Sequence, residues 1–188
     1  KGGLPYVDAW DVKGPAVGFT YALPMAIFGL HTWSTRLIDL VLIAGGLYFA
    51  YGAVAMFSGR VNAWMTLLLL LACSRFSFHI LGQPDLWVAW LLVTVLSLLI
   101  DPRYGARRSS FIVAGLAVGW MAMVKPFYGL FILPLLWTAS LRRQVFVLLA
   151  SAAVLPFLFV FLYMTRNGGM EALIDVQVFF NLGVPASL

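Results

Sequence analysis

Residues 36–60 read RLIDLVLIAGGLYFAYGAVAMFSGR, an apolar run that ends at Ser58-Gly59-Arg60. A helix of about 20 residues crosses a hydrocarbon core about 30 Å thick. Residues 36–57 have this length and are almost free of charge. They form the first clear membrane span in the chain, and the apolar runs that follow extend the same pattern.

The composition of the whole chain is that of an integral membrane protein. Of its 188 residues, 63% are hydrophobic and 10% are charged, and the mean hydropathy is +0.97. A water-soluble domain is excluded by these values. The single cysteine, Cys73, excludes an internal disulfide and a cysteine-based metal site.

The beginning of the sequence carries neither an initiator Met nor a signal-peptide pattern. Lys1 is followed directly by Gly-Gly-Leu-Pro, without the basic and then apolar regions of a leader. We therefore expect the sequence to begin inside a longer chain, after an earlier membrane helix.

The apolar runs predict an all-α, polytopic transmembrane helix bundle of about six spans. The predicted spans are 36–57, 61–82, 86–100, 110–124, 127–140 and 144–164. Residues 16–34 are interrupted by Pro24 and Gly29 and are short for a crossing, so they predict an interfacial or re-entrant helix. The predicted organisation is an outward polar loop with this helix (1–35), the transmembrane bundle (36–164) and an outward polar tail (165–188).

The placement of the arginines predicts the orientation, although the net charge is only +5. The turns after the first, third and fifth spans carry Arg60; Arg103, Arg107 and Arg108; and Arg142 and Arg143. Short loops rich in Lys and Arg stay in the cytoplasm. The opening loop, residues 82–85, Lys125 and the tail are then expected to face the periplasm or an equivalent exterior. If residues 16–34 cross the membrane, the opening loop is cytoplasmic instead.

A single kinked helix over 110–140 is the competing topology. It would be about 45 Å long and would put the two arginine clusters on opposite sides of the membrane. We therefore predict a hairpin that turns at Lys125-Pro126. The tryptophans are predicted to form aromatic belts at the two membrane interfaces. Those near outer ends are Trp10, Trp33, Trp87, Trp90 and Trp120, and those near inner ends are Trp64 and Trp137.

Polar residues are concentrated in the opening segment, residues 2–15, which reads GGLPYVDAWDVKGP. Turns at Pro5 and at Gly14-Pro15 would present Asp8, Asp11 and Lys13 toward one ligand. The alternative is a solvated loop whose charges only keep it out of the lipid.

Arg75 and His79 lie four residues apart inside the second span and therefore share a helix face. Ionisable groups within a span are costly and mark functional sites, so we predict the basic wall of an outward cavity that holds a phosphate. The alternative is that Arg75 snorkels to the interface or pairs with Asp39.

Asp85 and Lys125 are candidates at the outward turns. Asp85 follows Gln83-Pro84 at a helix start, where it serves either as a cap or as a site residue. Lys125 at the hairpin tip would meet the phosphate of a lipid or substrate. Structural roles are predicted for the Arg36–Asp39 pair, for His31, and for Glu171 and Asp175 on a solvated helix face. The sequence has no metal-ligand cluster, nucleotide-binding glycine loop or nucleophile elbow.

The opening segment and IFGLHTWSTRL at 27–37 resemble the first outer loop of polyprenyl-phosphate-dependent membrane glycosyltransferases. These are GT-C superfamily enzymes, which include protein O-mannosyltransferases and the lipid A aminoarabinose transferase. Gln-Pro-Asp at 83–85 and Val-Lys-Pro at 124–126 also resemble that family's pattern. The resemblance runs through most of the chain.

The resemblance implies inverting transfer of a sugar from a lipid-phosphate donor at the outer face, in the bacterial inner (plasma) membrane. Lys13 would contact the donor phosphate, Asp11 would line the sugar or metal position, and Asp85 would organise the cavity. Taken with the residue patterns above, the candidate catalytic residues are Asp8 and Asp11. The candidate substrate-binding residues are Tyr6, Lys13, Arg75, His79, Asp85 and Lys125. A divalent metal is the one cofactor left open. The implied partners are the polyprenyl-phosphate sugar, membrane lipids and other membrane proteins, without nucleic acid.

One departure from the family pattern affects catalysis. The family's catalytic carboxylate lies in an Asp-Glu-type motif upstream of the loop, and this sequence starts after that point. The chain is then a fragment of a longer enzyme, or a truncated relative that serves as a non-catalytic scaffold subunit of a larger complex. A transporter is a third reading, which discontinuous spans would allow, although no internal repeat is evident.

Overall fold

The computed structural model describes residues 14–76, 84–101, 103, 107–131, 133 and 143–180. All elements in these ranges are helical, which confirms the all-α class. The elements are α1 (Pro15–Phe28), α2 (Thr32–Phe76), α3 (Pro84–Ile100), α4 (Arg108–Val124), a 3-10 helix (Pro126–Phe131), α5 (Arg143–Arg166), α6 (Met170–Ile174) and a π-helical turn (Asp175–Phe180).

Helix α1 contains 14 residues and is about 21 Å long at 1.5 Å per residue. Pro15 occupies its first turn, where the absent N–H costs nothing. The helix ends at Gly29, whose φ of 86° lies in the left-handed region that favours glycine. This length is short for a hydrocarbon core, as the sequence predicts for residues 16–34.

Helix α2 is divided at Gly59, which has a φ of 83° and a ψ of 165°. The rings of Tyr51 and Trp64 contact each other across this break, with centroids 5.3 Å apart. Thirteen residues of continuous helix would separate their Cα atoms by about 20 Å. The break therefore corresponds to the predicted turn at Ser58-Gly59-Arg60, between segments 32–58 and 60–76.

The first segment of α2 runs parallel to α3. Asp39 bonds to Trp87, and Gly46 lies against the ring of Trp90. Further along, Gly52 lies beside the residues that follow α3. A Cβ at position 46 would overlap the indole, so the glycine allows the two helices to approach closely.

Helices α4 and α5 also run parallel and share the most extensive helix–helix interface. A Cβ at Gly115 would overlap the carbonyl oxygen of Leu149, and one at Gly119 would overlap the carbonyl oxygen of Ala153. Small residues at such positions let helix backbones approach each other. Because the helices are parallel, α4 ends and α5 begins at opposite ends of the bundle. Helix α4 stops before Lys125, as predicted, rather than continuing through Pro126.

Charged side chains lie at the two ends of α3. Asp85 lies in its first turn, close to Lys125, and we call this end of the bundle the Asp85 end. Arg60 and Arg103 line one cavity beyond the last turn, and we call that end the Arg103 end. Sixteen residues of helix separate Asp85 from residue 101, which corresponds to about 24 Å.

Length and composition identify two candidate spans in the described ranges, against six predicted. They are Thr32–Cys73 and Gln144–Arg166, with mean hydropathies of 2.0 and 2.8. Helices α3 and α4 are apolar but contain only 17 residues each, just below a full span. Many large apolar side chains also face outward, among them Leu162 at 65% exposure. Exposed apolar surface on this scale indicates a membrane location.

Two of the predicted belt tryptophans are instead part of the core. Trp87 and Trp90 are buried within the protein, at 2% and 5% exposure. The prediction was wrong for them because position along a span does not reveal which side of the helix meets a neighbouring helix. Trp33 and Trp64 remain exposed.

We expect Gly119→Ala to destabilise the fold because the added methyl group overlaps the Ala153 carbonyl and forces α4 and α5 apart. Overpacking of this kind costs about 1–3 kcal/mol of unfolding free energy. The measurement is the thermal unfolding midpoint of the purified protein in detergent micelles.

Gly45→Ala is the matched control, since no atom of another described helix or loop lies within 4 Å of a Cβ at that position. Its midpoint should equal or exceed that of the parent, because alanine favours the helix by about 1 kcal/mol over glycine. Equal midpoints for Gly119→Ala and the parent would contradict the close packing of α4 on α5.

Candidate functional site

An ion pair and a hydrogen bond join α3 to the end of α4. The Lys125 Nζ lies 2.7 Å from Oδ1 and 3.0 Å from Oδ2 of Asp85. The Tyr128 hydroxyl donates a hydrogen bond to Asp85 Oδ1. We call these three residues the outer cluster. Asp85 and Lys125, which lie 40 residues apart in the sequence, therefore meet in space.

Two prolines determine the backbone at this site. Pro84 is buried in the first turn of α3, and Asp85 follows it there, where a carboxylate complements the positive end of the helix dipole. Pro126 disfavours helical backbone at the preceding residue, and Lys125 has extended angles, with φ −148° and ψ 128°. The lysine side chain therefore leaves the axis of α4 and reaches α3.

The outer cluster is accessible to solvent. The side chains of Lys125 and Asp85 are 41% and 49% exposed. An exposed pair of this kind contributes only about 0–1 kcal/mol to stability, so a ligand can displace it at little cost. Nζ of Lys125 also lies 5.9 Å from the ring centroids of both Phe127 and Tyr128. The two rings are adjacent, with centroids 4.2 Å apart, and both contribute cation–π attraction to the ammonium from the same side.

A buried carboxylate supports the start of α3. Asp39 is 3% exposed and accepts a hydrogen bond of 2.5 Å from the indole N–H of Trp87. Nη1 of Arg36 lies 3.6 Å from its second oxygen, Oδ2. No hydrogen-bond donor to Oδ2 occurs in the described part of the chain. The predicted structural pair is therefore present, and it positions Asp85 through Trp87, two residues further on.

The opening segment joins the bundle beside the outer cluster. The backbone N–H of Gly14 donates to the carbonyl of Val124 at 3.1 Å. A Cβ at Gly14 would overlap the carbonyl of Met123. The residue that follows Lys13 is thus bonded to the residue that precedes Lys125. Glycine is required here by the close approach of the two backbones.

Helix α1 is held by two further side-chain contacts near this end. The indole N–H of Trp120 donates to the Thr20 hydroxyl at 2.8 Å. The ring of Tyr21 packs edge-to-face on Trp87, with centroids 4.6 Å apart. Helix α1 is therefore in contact with both α3 and α4. Sequence patterns miss these residues because their partners lie tens of residues away.

The structure brings together two of the predicted site residues, Asp85 and Lys125. Several of the others lie outside the described residues: Tyr6, Asp8, Asp11, Lys13 and His79. The backbone of Arg75 lies in α2, but its side chain is outside the description. The basic wall of Arg75 and His79 therefore stays a prediction.

Predicted structural roles fit the remaining polar residues. His31 stacks on Trp33 with ring centroids 5.7 Å apart and an interplanar angle of 8°. Glu171 and Asp175 are exposed at the end of the described chain. These observations agree with the structural roles predicted from the sequence.

The described side chains do not fit a divalent metal ion. No group of three His, Cys, Asp or Glu side chains suited to a metal occurs in the described ranges. At the outer cluster, both oxygens of Asp85 already accept hydrogen bonds from Lys125. No step at this site is therefore assigned to a metal.

Comparisons with protein-family models, curated proteins and solved structures find no match to this chain. The resemblance to the GT-C glycosyltransferases therefore stays a prediction. It depends on the opening segment, on residues 27–37 and on the two short segments that contribute Asp85 and Lys125 to the outer cluster.

We expect Trp87→Phe to destabilise the protein because it removes the N–H donor from the buried Asp39. Leaving a buried polar group without its donor costs about 1–3 kcal/mol. Trp33→Phe is the control, because that indole is half exposed and contacts the rings of Phe28 and His31. The readout is the thermal midpoint of each variant in the same detergent.

The double variant Trp87→Phe, Asp39→Asn should recover part of the loss, since a neutral amide is less costly to bury than a carboxylate. Equal midpoints for Trp87→Phe and Trp33→Phe would show that the Asp39 bond does not brace α3.

Proposed function

We propose that this chain is part of a membrane glycosyltransferase that transfers a sugar from a polyprenyl-phosphate donor to an acceptor at the outer face of the membrane. One observation carries the proposal: described residues from three of the four segments that resemble the family, Gly14, Asp85 and Lys125, lie at the Asp85 end of the bundle. The opening segment enters at Gly14, and Asp85 contacts Lys125 beside it.

Lys125 has the chemistry that a phosphate leaving group requires. In inverting transfer, the acceptor oxygen attacks the anomeric carbon, and the bond from that carbon to the phosphate oxygen breaks with its electrons going to the phosphate. A preorganised cation stabilises the charge that develops there. An ammonium has three N–H donors, so Lys125 can keep a bond to Asp85 while it donates to a phosphate oxygen.

The acceptor hydroxyl must lose its proton to a carboxylate base as it attacks. In this chain, Asp8 and Asp11 of the opening segment are the candidate carboxylates for this step. Asp85 serves as a positioning residue in this proposal, because it holds the Lys125 ammonium between the two helices. Tyr128 holds Asp85 in turn through its hydroxyl.

The proposal includes a bundle that crosses the membrane six times, with the Asp85 end facing the periplasm of a bacterial inner membrane. Two features support this topology. The first segment of α2 is parallel to α3, and α4 is parallel to α5, so within each pair the first helix ends and the second begins at opposite ends of the bundle. Arg60 and Arg103 lie together at the opposite end from Asp85, in keeping with the cytoplasmic preference of basic loops.

A non-catalytic scaffold subunit is the second candidate, and one observation favours it. Lys125, Asp85 and Tyr128 satisfy one another and join α3 to the 3-10 helix. A scaffold would retain such a cluster for cohesion alone. The two candidates differ in what happens when Lys125 is removed.

We expect Lys125→Ala, in the full natural chain, to lower sugar transfer from a radiolabelled polyprenyl-phosphate sugar by at least about 100-fold, the usual loss when a transition-state donor is removed. The loss should appear in kcat. Stability should change little, because the pair is exposed. Lys125→Arg should retain part of the activity, since it keeps the cation.

Arg166→Ala is the matched control, because it removes an exposed cation at the end of α5 that has no ion pair within the described ranges. Its transfer rate should equal that of the parent. Transfer by Lys125→Ala at the parental rate would exclude this role for Lys125. A full chain that shows no transfer and loses only stability in Lys125→Ala would favour the scaffold.

A further inference from the structure

A cavity of about 480 Å³ opens at the Arg103 end, between α2 and the residues that follow α3. Arg60 and Arg103 supply two cations to its lining, and Asp101 supplies one carboxylate. The described lining therefore carries one positive charge in excess. This cavity lies at the opposite end of α3 from the outer cluster and plays no part in the proposed transfer.

Arg103 stabilises the ionised form of the Asp101 carboxylate. Arg103 Nε lies 3.0 Å from both carboxylate oxygens, and Nη2 lies 2.5 Å from Oδ2. The backbone N–H of Arg103 also donates to Oδ1 at 2.9 Å. The side-chain bond from Arg103 holds the pKa of Asp101 below its ordinary value. The carboxylate is therefore ionised at neutral pH and fixes the guanidinium at the cavity.

Gly52 provides the space in which this pair lies. A Cβ at position 52 would be 2.5 Å from Arg103 Nη2 and 3.3 Å from Asp101 Oδ2. The guanidinium thus packs against the backbone of α2. Its position is set from two sides, by the carboxylate and by the helix.

Arg60 is the second cation, and unlike Arg103 it is not fixed by any carboxylate that the structure describes. It is exposed, follows the break at Gly59, and makes no ion pair within the described ranges. Arg60 lines the same cavity as the fixed guanidinium of Arg103, so both can donate to an anionic group inside it. Arginine donors match the geometry of phosphate oxygens.

The rest of the cavity wall is aromatic and apolar. Tyr48 and Tyr51 line it together with Met56. Tyr48 is 66% exposed and Met56 is 41% exposed, so this wall continues onto the apolar outer surface of α2. Tyrosine combines an apolar ring with a hydroxyl donor and is typical of the boundary between membrane and water. The cavity therefore has a cationic part and an apolar part side by side.

We propose that this cavity binds a phosphate group, with Arg60 and Arg103 as its ligands and Tyr48 and Tyr51 as the wall beside it. The phosphate belongs either to an anionic phospholipid headgroup, whose acyl chains follow the apolar surface of α2, or to a free phosphate in solution. Arg60 supplies the decisive cation, and Asp101 positions Arg103.

The experiment measures binding to the full chain purified in a neutral detergent. Phosphatidylglycerol in mixed micelles and inorganic phosphate are titrated separately, and the shift of the thermal midpoint is followed for each. Phosphatidylcholine micelles provide the baseline. Stabilisation by phosphatidylglycerol alone identifies the lipid headgroup, and stabilisation by inorganic phosphate identifies the free ion.

Arg60→Gln should weaken binding of the effective probe by about tenfold, because a charge-assisted bond to phosphate is lost. Arg60→Lys should retain an intermediate affinity, since it keeps the charge without the planar fork. Arg166→Gln is the matched control and should bind as the parent does. The midpoint of each variant without any probe shows that it is folded.

The proposal is overturned if neither phosphatidylglycerol nor inorganic phosphate raises the midpoint. It is also overturned if Arg60→Gln and Arg166→Gln bind the probe equally, because the effect would then come from the overall positive charge. The outcome is independent of sugar transfer, since Arg60 lies far from the outer cluster.

Discussion

A carboxylate buried in an apolar bundle needs hydrogen-bond donors or a cation beside it. In this protein the buried carboxylate is Asp39. Its hydrogen bond to the Trp87 indole joins α2 to α3, and Tyr21 of α1 packs on the same indole. Burying the carboxylate without these partners would cost several kcal/mol. The start of α3 is therefore held in one place, and Asp85 lies in that same turn.

Close approach of helix backbones is the second constraint. The glycines at positions 14, 46, 52, 115 and 119 each lie where a Cβ would meet a neighbouring chain segment. Association of apolar helices depends on such packing, because lipid offers no hydrophobic gain for bringing them together. The positions of these glycines therefore set the distances between α2 and α3 and between α4 and α5. Gly14 does the same for the segment that enters beside Val124.

The two ends of the bundle carry different chemistry. At the Asp85 end, one lysine, one carboxylate and one phenol satisfy each other while the charged pair stays accessible. At the Arg103 end, a buried carboxylate fixes one guanidinium and leaves the cavity with an excess of positive charge. A helix of 17 residues separates the two. The two proposals, glycosyl transfer at one end and phosphate binding at the other, therefore concern separate sites.

The sequence by itself determined the features that depend on local physics. Apolar runs predict the helices, Gly59 predicts the break in α2, and Lys125-Pro126 predicts the end of α4. Each of these follows from hydropathy or from the backbone preferences of glycine and proline. The segregation of arginines into alternate turns is equally local, and it anticipated the grouping of Arg60 with Arg103.

Only the tertiary structure decided which side chains meet. It paired Asp85 with Lys125, added Tyr128 to them, and buried Trp87 against Asp39. The helices of this chain are apolar on all sides, so their periodicity does not distinguish the face that meets a neighbour from the face that meets lipid. Contacts between residues 40 or more positions apart depend on that choice of face. For this reason Asp85 and Lys125 could be proposed singly from the sequence, but neither their pairing nor the part of Tyr128 could be.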